Sequence, residues 1–98
     1  MPKFNVGDRV VWRSQAQGSF VEKRGVVFYV VPPGERMDRS KALYHLRVQY
    51  AENATWRADF GGMARKEESY LVAIPGTDRK LPVVYWPRTS ALREDTDV

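Results

Sequence analysis

The sequence predicts a mainly β protein, a small twisted sheet of about five strands, on three observations. The first is Val26–Val31, six consecutive residues that are all β-branched or aromatic, bounded by Gly25 and by Pro32-Pro33. Such a run is too short for a globular helix and reads as a strand apolar on both faces. The second is a pair of later segments, Ser69–Ile74 and Leu81–Trp86, of the same character. The third is punctuation: Gly7-Asp8, Gly18, Pro32-Pro33-Gly34, Pro75-Gly76 and Pro87 divide the chain at turn-forming residues.

The totals frame this reading. The 98 residues make one domain, residues 1–93, followed by an acidic, disordered tail over 94–98. There is no cysteine, which excludes a disulfide framework or a thiolate metal site and fits a reducing cytoplasm. No apolar run reaches the roughly 18 residues of a membrane span, and the start Met-Pro-Lys-Phe-Asn lacks the apolar core of a signal peptide. The net charge is +4. Three of the 12 acids are Glu94, Asp95 and Asp97, so the body before them sets 16 basic against nine acidic residues, a net of +7. A basic body attracts nucleic acid or another polyanion, although a solvated surface of mixed charge reads the same way.

Taken in order, Lys3–Asp8 is an opening turn around Gly7. Arg9–Arg13 follows as a strand with Val10 and Trp12 on one face and Arg9, Val11 and Arg13 on the other. Gln15–Ser19 is a loop tip. Phe20 and Val21 begin the return, Glu22-Lys23-Arg24 is solvated, and the central strand starts near Gly25, so the two strands form a hairpin. Strict alternation places Val26, Phe28 and Val30 on one face and Val27, Tyr29 and Val31 on the other. Residues 35–41 are charged and read as loop. In Ala42–Tyr50, Tyr44, Leu46, Val48 and Tyr50 alternate with His45, Arg47 and Gln49, which favours a strand. Leu43, Leu46 and Tyr50 also fit helix spacing, which keeps a helix as the alternative. Trp56, Ala58 and Phe60 suggest a short return strand, broken by Gly61-Gly62. After Ser69–Ile74 and Leu81–Trp86, Thr89–Arg93 forms one helical turn with Leu92 tucked inward.

The opening Phe4-Asn5-Val6-Gly7-Asp8-Arg9-Val10-Val11, the Gly25-Val26-Val27 that begins a second strand, and the closing Trp86-Pro87-Arg88-Thr89-Ser90-Ala91-Leu92 together resemble SH3-like small barrels, including the KOW and Tudor-like groups. The resemblance spans residues 4–33 and 68–93 and implies a small barrel closed by a late strand and a short helical turn. Residues 35–66 depart from it. They form a long insertion with eight large apolar side chains (Met37, Leu43, Tyr44, Leu46, Val48, Tyr50, Trp56 and Phe60), too many for a solvent loop. Burial contributes roughly 25 cal/mol per Å², so the insertion is expected to pack on the barrel, over the second face of its central strands. A second copy of the chain in a homodimer is the alternative cover.

The residues argue against an enzyme. His45 is the one histidine and has no partners at a recognisable catalytic or ligating spacing, so it reads as a surface or strand-edge residue. Asp59-Phe60-Gly61-Gly62 lacks the spacing of a phosphate-binding glycine loop, and the adjacent carboxylates of Glu67-Glu68 point apart on a strand. No cofactor or metal is expected. Arginines and aromatics recur together, however: Arg9 and Arg13 with Trp12, Arg57 with Trp56, and Arg88 with Trp86. Stacking on aromatic faces with phosphate neutralisation by arginine is how sequence-tolerant nucleic-acid surfaces work. The bland reading makes the tryptophans core. The expected function is a non-catalytic binding module that contacts nucleic acid through these seven residues. The alternative is a protein-interaction module, either through a peptide or cation groove, which the resemblance implies and for which Trp12, Tyr29 and Trp86 are the candidates, or through an insertion that masks a partner's surface.

Overall fold

The computed structural model describes residues 3–16, 18–52, 54–56, 63–76 and 81–96. Five strands, β1 (Arg9–Ala16), β2 (Ser19–Val31), β3 (Ser69–Ile74), β4 (Val83–Tyr85) and β5 (Arg93–Glu94), form one antiparallel sheet in the order β4-β3-β2-β1-β5. One helix, α1 (Arg39–Gln49), lies between β2 and β3, and a 3₁₀ turn, Thr89–Ala91, precedes β5.

The β1–β2 hairpin runs unbroken from Arg9↔Val26 to Ala16↔Ser19. The solvated Glu22-Lys23-Arg24 is therefore strand, paired with Val11–Arg13, and β2 is 13 residues long. Gly25, expected at the start of a strand, sits in its interior because β3 passes close by. A Cβ there would lie 2.6 Å from Val72 Cγ1 and 2.7 Å from the Ala73 carbonyl oxygen. Gly7, at φ 98°, makes the opening turn. The turn is stitched to β2 by Gly7 N–H to Val27 O at 2.8 Å and Val27 N–H to Asp8 O at 3.0 Å.

A β-bulge overturns the expected alternation in β2. Val27 pairs with Val72 and Tyr29 with Leu71, so Phe28 is the extra residue. As a result Phe28, Tyr29 and Val31 pack on one side of the sheet, while Val27 and Val30 pack on the other. The first side holds Phe28, Val31, Leu71, Ala73, Val84 and Trp86 beneath Ala42 and Leu46 of α1, with Ala54 and Trp56 beside them. The second holds Val10, Trp12, Val27, Tyr70 and Val72, closed by Phe4 from the opening turn and Leu92 from the closing one. Both apolar faces are thus covered by the chain itself, the first by the insertion as expected.

The strand expected over Ala42–Tyr50 is instead a helix. Asp38 caps it, its carboxylate accepting from Lys41 N–H at 3.1 Å. The apolar stripe that decides the matter is Ala42 and Leu46, one turn apart and fully buried, with Leu43 and Tyr50 half-buried beside them. Tyr44 and Val48, two of the four alternating residues, are about two-thirds exposed. The return strand suggested by Trp56, Ala58 and Phe60 falls mostly on 57–62, outside the described residues.

The sheet is open, not the closed barrel that the resemblance implies. Its edges are β4 and β5, of three and two residues. Pro82 and Pro87 flank β4 and have no N–H to donate, which keeps that strand short of the expected Leu81–Trp86 span. The chain end is ordered further than expected. Glu94 pairs with Val10, and Asp95 N–H donates to Arg9 O at 3.0 Å. The Asp95 carboxylate is 2.7 Å from Arg24.

Candidate functional site

The curl of the sheet brings the start of β1 and the end of β4 together. Trp12 is buried on the second side of the sheet, its ring edge-on to Tyr85 at 5.6 Å. The hairpin register sets Lys23 opposite Trp12, and Lys23 Nζ lies 4.1 Å from the centre of the Tyr85 ring. Arg13 follows Trp12 on the exposed side. After Tyr85 the chain buries Trp86, turns at Pro87 and presents Arg88 to solvent. A shallow groove of about 380 Å³ results, with Trp12, Arg13, Tyr85, Trp86 and Arg88 in its walls.

Arg88 also borders a second recess of about 590 Å³, with Arg65, Lys66, Glu67, Thr89 and Ser90. Arg65 is held there by its surroundings. Its guanidinium stacks 3.9 Å from the centre of the Trp86 ring, and its two terminal nitrogens donate to Pro87 O at 2.9 Å and Trp86 O at 3.0 Å. Partial burial, and secondarily the charge of Arg88, push the Arg65 guanidinium below its ordinary pKa. Among the described residues, Arg13, Arg65, Lys66 and Arg88 make no ion pair.

Of the seven residues expected at the site, Trp12, Arg13, Trp86 and Arg88 come together in this groove. Trp56 does not. It lies under α1, with Arg39 at 4.8 Å from its ring centre. Arg9 belongs to a separate recess that it shares with Asp8, Glu94 and Asp95. Arg57 lies outside the described residues. Tyr29, a candidate for a peptide groove, packs against the α1 side of the sheet with His45 at 5.6 Å. Trp12 and Trp86 are only 3% and 7% exposed, so neither offers an open face for stacking. Sequence reading missed Lys23, Arg65 and Lys66. The hairpin register opposite Trp12 was a usable signal for Lys23. Arg65 and Lys66 carry none, since they sit at the end of the insertion, and Arg65 is 21 residues from the tryptophan that positions it.

Comparison with protein families, curated proteins and solved structures finds no match for the chain. The fold is therefore described by what it is, a small mainly β protein with one helix on an open, antiparallel five-stranded sheet. Among the described residues no helix is long and apolar enough to cross a membrane.

Proposed function

We propose that the chain is a non-catalytic module that binds nucleic acid through the basic groove between β1 and the β4–β5 connection. The observation that supports this reading is the set of cations Arg13, Arg65, Lys66 and Arg88, gathered along one surface without an ion pair among the described residues. Protein surfaces of this size usually intersperse acids with their bases. With Glu67 as the acid in the same recess, the surface keeps a net positive charge, which matches a phosphate backbone. Trp86 and Tyr85 act here as supports for Arg65 and Lys23, while bases are left to pair or stack among themselves, so binding is sequence-tolerant.

The finer family reading, an SH3-like domain of the KOW or Tudor-like groups, belongs to this proposal. Its support is the Gly7 turn that feeds β1 and the 3₁₀ turn that follows β4.

The test is fluorescence anisotropy with labelled single-stranded DNA, duplex DNA and RNA, each measured from about 50 to 200 mM salt. Four phosphate contacts predict a loss of affinity of roughly 50-fold for a single strand to 150-fold for duplex DNA over that interval. Absence of binding to all three at low salt overturns the reading. A protein partner is the second reading, favoured by Tyr44 and Val48, exposed one turn apart on the insertion's helix. Binding there would respond weakly to salt and strongly to Tyr44→Ala.

A further inference from the structure

We propose that the recess between Arg65, Lys66, Arg88 and Ser90 is a phosphate site, the anchoring point of the interface proposed above, on which reading it rests. Arg65 is prepared for this before any ligand arrives. Its backbone carbonyl accepts from Gly34 N–H at 2.7 Å, its guanidinium carbon lies over the Trp86 ring, 3.9 Å from its centre, and its two donated bonds end on the carbonyls of the two residues preceding Arg88. That clamp fixes the Arg65 guanidinium relative to the backbone that carries Arg88. Of five N–H groups on Arg65, two are engaged, which leaves three to donate to an oxyanion.

Placing the charge of Arg88 near the partly buried Arg65 guanidinium, in one recess, is unfavourable on its own. The two carbonyls and the Trp86 ring ease this for Arg65, but no carboxylate pairs with either arginine among the described residues. Glu67 also lines the recess, so the lining carries three positive charges and one negative, a net of two. That balance suits a phosphate. The Thr89 hydroxyl is already used, donating to Glu68 O at 2.8 Å, whereas the Ser90 hydroxyl makes no hydrogen bond among the described residues. At about 590 Å³ the recess has room for a whole nucleotide behind the phosphate. A planar guanidinium held in place beforehand, as Arg65 is, suits the recognition of phosphate oxygens.

The experiment is an amide and guanidinium NMR titration of the full chain with inorganic phosphate at constant ionic strength, set against Arg88→Gln. Arg88 is exposed and makes no bond among the described residues, so its replacement leaves the fold intact, as an unchanged spectrum elsewhere verifies. The expected result is saturable shifts at Arg65 Nε and Ser90 N, weakened roughly tenfold or more in the variant. Linear shifts without saturation, or equal affinity in both proteins, overturn the proposal. Its failure is distinct from that of the nucleic-acid reading. Saturation by phosphate without any nucleic-acid binding upholds the site and assigns it to a free phosphate compound. Salt-sensitive nucleic-acid binding with no response at Ser90 keeps the interface and removes this site from it.

Discussion

Trp12 of β1 and Tyr85 of β4 meet edge to face with ring centroids 5.6 Å apart, although β2 and β3 lie between their strands. In a flat sheet those strands would be three spacings apart, roughly 14 Å. Side chains therefore bridge a gap that no main-chain pairing closes, and the curl of the open sheet depends on them. Trp12→Ala is expected to lower stability by about 3–5 kcal/mol, most of a small domain's margin. Urea unfolding of this variant beside Trp12→Phe measures it. A loss below about 1 kcal/mol would show that the bridge is incidental.

Gly25 and Gly7 make opposite kinds of demand. Gly25→Ala drives a methyl group against the backbone of Ala73 as well as Val72, and β3 must move. Gly7→Ala meets open space and suffers only from its positive φ. The expected losses are about 1–3 kcal/mol for Gly25→Ala and about 1 kcal/mol for Gly7→Ala. Thermal melts of both variants test the order. Equal losses would remove the close approach of β3 as the reason for a glycine inside β2.

The helical character of the insertion can be tested through its cap. Asp38→Ala removes the acceptor for Lys41 N–H and is expected to cost about 0.5–2 kcal/mol. Leu46→Ala should cost about 2–5 kcal/mol, since the residue is fully buried between α1 and the sheet. Val48→Ala, on the exposed side, should change stability by less than about 0.5 kcal/mol. A strand over the same residues would place Leu46 and Val48 on one face and give them similar costs, so the contrast decides.

Three tyrosines bear on alkaline stability. Burial raises the phenol pKa of Tyr29, Tyr50 and Tyr70, and for Tyr70 the hydrogen bond it donates to Glu68 raises it further. A raised pKa means that the folded state holds its proton where the unfolded state has lost it. The associated stability is fully present below the unfolded value, about 10, and disappears as pH climbs through the folded values. Denaturant midpoints should be level from pH 7 to 9 and fall beyond about 10. Tyr70→Phe should flatten the fall at the expense of a lower plateau.

Much of the architecture was legible because it rests on local chemistry. The apolar stretches that became β2 and β3 announce strands through β-branched residues and bounding glycine or proline, and Ser69–Ile74 has the very limits expected of it. The mass of apolar side chains in residues 35–66 required a cover for the sheet, and α1 is that cover. The helix itself was obscured because Tyr44 and Val48 counted toward an alternation in which they bury nothing, while Ala42, small and easily overlooked, lies at the contact. The bulge at Phe28 was invisible, since it arises from how β3 sits against β2.

Residue type and spacing settled the β class, the presence of a packed insertion, and the pairing of arginine with tryptophan at Trp12–Arg13 and Trp86–Arg88. Folding in three dimensions decided which of those pairs share a surface, buried both rings, and delivered Lys23, Arg65 and Lys66 to it. The reason is physical. Strand and turn preferences act over a few residues and can be read along the chain, whereas Arg65 reaches Trp86 across 21 positions, a distance that only the closed structure spans.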